Sequence, residues 1–421
     1  MSEMKKVLNI IQRYYPAEGG AERFFWTLSE YLANDLGLEV DVWTTDALNS
    51  ETLWDLDGSK VEKKEENVRG VNVKRFPIGK GMLKYKYPNK ILRVLFGSFP
   101  NFKIANLASC PTSFEMLDEI KNIKQYDCVT VSSSPYYFIF YVGYLISKKL
   151  NIPYIISPAF HSGVDSNDPL RKKYYKKTAV PFFEHARKII LNTKPEGDTI
   201  YDFCKENGVE LDREKFVVLG QGVYLDKIAG GNGKRFRGKY NLKYPIVFQM
   251  GAKTRDKGSF DLVESMKLIW DSGKNVHLIF AGLNSKDFDE YLNSLDEKYR
   301  KNILNIDNIS EEEKWDLFDA GDIFSMVSKT DSFGIVYLEA WAYSKPVLAC
   351  RNDVMKEIFD DGKDGYLVEY GNIREIAGKI SELLEDENKR KEIGNNGRKK
   401  VEEKYDWKKV MRKVDEIYNK L

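Results

Sequence analysis

The chain has 421 residues, with 66 Lys and Arg against 64 Asp and Glu and a formal net charge of +2. That length calls for two domains of about 200 residues, and that balance gives no bulk attraction for a polyanion such as nucleic acid. Its four cysteines, Cys110, Cys128, Cys204 and Cys350, are widely spaced without a CxxC pair, and the start, MSEMKKVLNIIQ, lacks the apolar core of a signal peptide; both argue for a reducing, cytoplasmic setting over a disulfide or zinc framework.

Val7 to Ile11 predicts a strand, and Gln12 to Gly20 a loop closing on the pair Gly19-Gly20. Ala21 to Leu36 follows as a helix whose apolar face is Phe24, Phe25, Leu28, Tyr31, Leu32 and Leu36. Glu39 to Thr44 returns as a strand, so the chain opens with a βαβ unit. Glycines without Cβ atoms let a ligand approach the backbone where helix donors point outward. The fingerprint GxGxxG is absent here and at the other βα starts, which argues against a dinucleotide cofactor. Glu22 and Arg23, on the first helical turn, read as surface or acceptor-facing residues, not catalytic ones.

Residues 46 to 115 read as irregular. Within them Gly79 to Phe114 carries Lys80, Lys84, Lys86, Lys90, Arg93 and Lys103 and no acid, interleaved with apolar and aromatic side chains. Two readings stand: a solvated face over an ordinary core, or a peripheral membrane contact through 80–103 drawn to anionic head groups. Cys128 to Ser147 is uncharged, but Ser133-Ser134-Pro135 interrupts it. The remaining helix, Tyr136 to Ser147, is about 18 Å long against ~30 Å of hydrocarbon, so a buried strand-turn-helix is expected.

Asp127 to Ser132, Tyr154 to Ser157 and Lys188 to Asn192 are further strands, alternating with helices near 136–150 and 169–187. Doubly wound parallel sheets take ligands beyond the carboxyl ends of strands, and His161 lies there, in a loop with small neighbours. Such a histidine serves either structure or chemistry. The other two have plain settings, His185 beside Glu184 on a helix and His277 in an apolar strand. Phe216 to Leu219 closes the first half, and 226–243, with Gly230-Gly231-Asn232-Gly233, has linker composition.

The second half begins with the strand Ile246 to Met250, the loop Gly251 to Gly258 and a helix from Ser259 to Trp270. Lys257, just before that helix, is placed to neutralise phosphate charge. Val276 to Gly282 and Ile303 to Ile306 are strands, the latter followed by the turn Asp307-Asn308-Ile309. The densest stretch is Asp331 to Cys350, DSFGIVYLEAWAYSKPVLAC. After the strand-like Ile323 to Val327 it turns through Asp331 to Gly334, enters a buried helix Ile335 to Ala342, and returns as the strand Val347 to Ala349. The helix N–H groups around Phe333, Gly334 and Ile335 favour an anion, and a phosphate fits. Glu339, between Leu338 and Ala340, needs a partner for its carboxylate, and either an ion pair or sugar hydroxyls supply one. Asp331 serves either as a helix cap or as a ligand.

An acid, seven residues, then Glu, as in Asp331 and Glu339, resembles the donor-site signature of retaining glycosyltransferases of family 4, the glycosyl transferases group 1. The loop YYPAEGGAERF, the turn Gly220-Gln221-Gly222-Val223, the pair Lys257-Gly258 and the segment from Glu357 to Gly365 resemble the same family in the same order. The resemblance implies an α/β protein of the GT-B fold, two Rossmann-like doubly wound domains facing across a cleft. Residues 1–225 are then the acceptor-side domain and 226–406 the nucleotide-sugar domain, with a helix over 407–421 packing back on the first. It implies a metal-independent hexosyltransferase that moves a sugar, with retention, from a nucleotide-diphosphate sugar to a glycan, lipid-linked or other acceptor, with no cofactor besides the donor substrate. His161, Asp331 and Glu339 are its implied catalytic residues; Gly19, Gly20, Lys257, Asn308, Phe333, Gly334 and Ile335 are its implied donor contacts. Two positions depart from the family: Ala252 stands where Arg is usual, leaving Lys253 or Arg255 to replace it, and Asp331 where Glu is more frequent. A nucleotide-sugar epimerase and a non-catalytic sugar-nucleotide-binding protein are the rival readings.

Overall fold

In a computed structural model of the chain, the described residues are 5–53, 58–79, 91, 95, 101–161 and 169–419. They divide into two compact units, Met1–Leu219 with Met411–Leu421, and Gly220–Val410.

The first unit is built on β1 (Lys6–Ile10), β2 (Glu39–Thr45), β3 (Glu65–Val68), β4 (Val71–Phe76), β5 (Cys128–Ser132), β6 (Tyr154–Ser157), β7 (Lys188–Leu191) and β8 (Phe216–Val218). They form one sheet in the order β3-β4-β2-β1-β5-β6-β7-β8, parallel except for the antiparallel β3. Central strands of such a sheet are covered on both faces, which is why Val7, Leu8, Ile10, Val129 and Val131 are all fully buried. The β3-β4 hairpin lies in the stretch that reads as irregular. Arg69 and Gly70 have φ of 51° and 89°, the pair of left-handed residues that a two-residue hairpin turn requires.

Cys128 to Ser147 divides into β5 and the helix Tyr137–Leu150. Among the described residues no helix is long and apolar enough to cross a membrane. All four cysteines are buried and outside any disulfide. The single helix expected over 169–187 is instead two, Pro169–Tyr174 and Val180–His185. Pro181 accounts for the break, since it starts a helix readily and cannot continue one. Of the basic segment 80–103, residues 80–90, 92–94 and 96–100 lie outside the described residues. Phe102, at its end, packs into the core, its ring centroid 5.2 Å from that of Phe182 and 5.6 Å from that of Tyr141.

The second unit contains β9 (Ile246–Met250), β10 (His277–Ala281), β11 (Ile303–Ile306), β12 (Ile323–Met326), β13 (Val347–Cys350) and β14 (Gly365–Val368). All are parallel, in the order β11-β10-β9-β12-β13-β14, the doubly wound arrangement of a Rossmann-like domain. Residues 226–243, which have linker composition, fold as part of this unit in the helices Leu225–Ile228 and Gly233–Lys239. The reason is a row of aspartates. Asp316 accepts from Asn232 N at 2.7 Å and pairs with Arg235, Asp319 accepts from Gly233 N at 2.7 Å, and Asp322 pairs with Arg237 at 2.8 Å. The last helix, Trp407–Tyr418, starts in the second unit, and its residues from Met411 onward belong to the first. There Asp415 accepts from Tyr31 OH at 2.7 Å and Tyr418 OH shares a 2.7 Å hydrogen bond with the Thr130 hydroxyl.

Trp341 anchors the second core. Its ring is fully buried, 4.6 Å from Phe359, and its Nε1 donates to Asp364 O at 2.7 Å. Trp341→Ala should cost about 3–5 kcal/mol and lower the calorimetric melting temperature of this unit by about 10 °C. A drop below about 2 °C would contradict that packing role.

Candidate active site

Strand order in the second unit reverses between β9 and β12, so the chain leaves these neighbours in opposite directions and a crevice opens beyond their carboxyl ends. Two loops form its rim, 251–258 after β9 and 327–334 after β12. They are in direct contact: Lys329 N donates to Asp256 O at 2.7 Å, and Ser328 Oγ to the same oxygen at 3.3 Å. Gly258 makes this approach possible, because a Cβ there would lie 2.5 Å from Val327 O and its φ is +71°. Gly334, with φ of +86°, ends the second loop, and a Cβ there would sit 2.3 Å from the Tyr337 ring. Each glycine caps a helix, Ser259–Asp271 and Ile335–Ala342, whose first N–H groups and positive dipole ends therefore stand at the crevice.

Between those helix starts Lys257 Nζ meets Asp331 Oδ1 at 2.5 Å. Tyr337, fully buried, places its hydroxyl 3.2 Å from Asp331 Oδ2 while donating to Met326 O at 2.7 Å. The Phe333 side chain is buried edge-on against Tyr405, so only its backbone is available to a ligand. Ile335 is half-buried at the helix start. Glu339 is buried in the same helix, and its Oε1 accepts from Lys314 Nζ at 2.6 Å. Lys314 was not singled out from sequence, although it is the only cation in EEEKWDLFDA, the helix Glu311–Ala320.

Asn308, with φ of 50°, is exposed after β11, two strands away from β9, and is not grouped with Lys257 and Asp331. Of the two cations that sequence left open as substitutes at Ala252, Lys253 is turned away: it is buried, and its Nζ donates to Ile306 O at 2.7 Å. Burial pushes its ammonium pKa down. Arg255 lies over the Phe260 ring, 4.1 Å from the centroid.

The first unit has its own reversal, between β1 and β5. Gly19 and Gly20 are exposed at the start of the helix Gly20–Asn34. Glu22, expected at the surface or facing an acceptor, is buried. Arg13 pairs with it at 2.7 Å and Gln12 Nε2 donates to it at 3.0 Å. A Cβ at Gly19 would fall 2.2 Å from Glu22 Oε2, so this glycine makes room for the pair. His161 follows β6, its ring edge-on to Tyr174 at 5.3 Å. The loop carrying it is tied down by Glu196, another residue the sequence reading passed over: Oε1 accepts from Phe160 N at 2.6 Å and Oε2 from Asn192 N at 2.7 Å. Its signal was the Thr193-x-x-Glu196 capping pattern. Burial pushes the Glu196 carboxyl up to about 7, against the downward pull of those backbone bonds. Among the described residues no group of three or more His, Cys, Asp or Glu side chains is placed to hold a metal ion.

Residues 233–400 match the family model for glycosyl transferases group 1. The capsular polysaccharide biosynthesis glycosyltransferase CapM of Staphylococcus aureus is 30% identical over 216 residues, 49% of this chain; the chain thus spans 55% of that relative's length. Among solved structures, sucrose-phosphate synthase from Thermosynechococcus elongatus superposes with a TM-score of 0.75 at 18% identity, covering 99% of this chain and 98% of that one. Anabaena HepE in complex with UDP-glucose gives 0.71 at 16%, covering 99% and 100%. The fold is that of the GT-B glycosyltransferases, with two Rossmann-like domains.

Glu196 links structure to pH. Its carboxyl holds a proton up to about pH 7 when folded and to about 4.5 when unfolded. It therefore stabilises the fold fully below pH 4.5 and loses that contribution as pH rises through 7. Glu196→Gln, neutral throughout, should gain melting temperature relative to wild type on going from about pH 5 to about pH 8. A wild-type-to-variant gap independent of pH would contradict the assignment.

Proposed function

We propose that the protein is a retaining, family 4-type hexosyltransferase that moves a sugar from a nucleotide-diphosphate sugar to an acceptor hydroxyl, with the donor held at the β9/β12 crevice. One observation carries this reading. Lys257 and Asp331, from loops after two neighbouring strands, meet between two helix N-termini inside the segment that matches the group 1 model. Cation and helix ends are what a diphosphate requires. HepE was solved in complex with UDP-glucose, which makes UDP-sugars the first donors to try.

In the proposed reaction the bond from the anomeric carbon to the diphosphate oxygen breaks, the bond to the acceptor oxygen forms on the same face, and the acceptor proton passes to the departing phosphate. Negative charge grows on that phosphate. Lys257 and the amides at Phe333, Gly334 and Ile335 stabilise it, the kind of preorganised donor set that lowers a barrier most. Glu339, oriented by Lys314, takes ribose hydroxyls, and the Asn308 turn serves the base. No metal enters this scheme, because the protein's own donors carry the charge.

The test is a melting-shift panel of UDP, GDP, ADP and their sugar conjugates, followed by transfer assays with the conjugates that bind. A selective rise of a few degrees is expected, lost in Glu339→Ala, with turnover of that variant lowered about 100-fold. Excess EDTA should leave turnover unchanged. No shift with any nucleotide would overturn the donor site, and conversion of donor without acceptor would show an epimerase instead.

A further inference from the structure

Asp331 stands where a sugar ligand is expected, yet its oxygens face protein donors. Oδ1 accepts from Lys257 Nζ at 2.5 Å, and Oδ2 lies 3.2 Å from Tyr337 OH. The Asp331 side chain is 7% exposed and that of Lys257 32%, so the accessible half of the pair is the cation. A diphosphate that reaches Lys257 therefore meets an ammonium whose charge a fixed carboxylate already compensates. Like charges at such range repel, the more so at a partly buried site where solvent screening is weak.

From this geometry we propose that Asp331 is a positioning residue, a charge latch that holds Lys257 in place and limits its grip on the diphosphate, instead of a ligand for the donor sugar. The inference rests on the donor-site reading above. It also gives the site a direction. A free nucleoside diphosphate carries one more ionisable oxygen on its terminal phosphate than its sugar conjugate does. Asp331 therefore repels the product more than the donor and favours release after transfer. The shorter Asp suits this role, since its stem keeps the carboxylate at the strand end, beside Lys257 and Tyr337.

The experiment is calorimetric titration of the full chain with UDP and with UDP-glucose, or with the pair that the melting panel selects, for wild type, Asp331→Asn, Asp331→Glu and Lys257→Gln. Asp331→Asn should bind the nucleoside diphosphate about tenfold more tightly and the sugar conjugate by a smaller factor. Asp331→Glu, which keeps the charge, should stay within about twofold of wild type, and Lys257→Gln should weaken both ligands. An unchanged affinity for the nucleoside diphosphate with a weakened one for the conjugate would overturn the latch in favour of direct sugar contact. Weakening of both by Asp331→Asn would overturn it as well. If Asp331→Asn fails to fold by circular dichroism, Asp331→Ser carries the same expectation. Absence of binding by every form, wild type included, would overturn the donor-site reading itself, a result distinct from failure of the latch alone.

Discussion

The second unit depends on one close approach: the loop after β9 lies against the loop after β12, with Gly258 under Val327 O. Neighbouring parallel strands whose connections leave in opposite directions must open a crevice at their carboxyl ends. How wide it opens is set by side chains. Gly258 allows contact, the Lys329 amide closes it on Asp256 O, and Lys257 and Asp331 are thereby brought together from loops 74 residues apart in sequence. A side chain at Gly258 would have to push the 327–334 loop away, and the same movement would part the ion pair and displace the helix start at Gly334.

Several buried carboxylates among the described residues are paired with a cation. The cation is shielded in Arg13–Glu22, Lys314–Glu339 and Lys400–Asp364, with side-chain exposures of 11%, 16% and 11%. Pairs of that kind offset the desolvation of both partners and order the segments that carry them. Lys257, like Arg235 opposite Asp316, is more exposed than its carboxylate, but it alone of the two stands beside the helix starts at Gly258 and Gly334. A structural pair has little reason to leave its cation accessible at a strand end between two helix dipoles. A phosphate site does.

Much of this was legible in the sequence wherever local signals and tertiary demands coincide. Ile246–Met250 and Ile335–Ala342 were readable to the residue, the first bounded by Pro245 and Gly251, the second by Gly334 and Ser344-Lys345-Pro346. The β3-β4 hairpin was hidden because Glu65, Glu66 and Asn67 have weak strand preference and gain their place from pairing with β4. Its turn, Arg69-Gly70, and the alternation of Val71 and Val73 were the available clue. Residues 226–243 looked like a linker because their stability comes from aspartates some 80 residues later, which no local window contains. The same limit explains the site. The helix around Glu339 shows that a carboxylate needs a partner, but only the fold identifies Lys314. The glycine pair was legible, while the room that Gly19 leaves for the Glu22 carboxylate was not.

The proposed donor site places a nucleotide-diphosphate sugar on the two helix starts that flank Lys257 and Asp331. Hydrogen–deuterium exchange of the whole chain with and without UDP-glucose, or the conjugate that proves to bind, tests it most directly. Slowed exchange is expected in peptides covering residues 257–260 and 333–336, whose amides are proposed to face the diphosphate. Demonstrated binding with those peptides unchanged and protection confined elsewhere would contradict it.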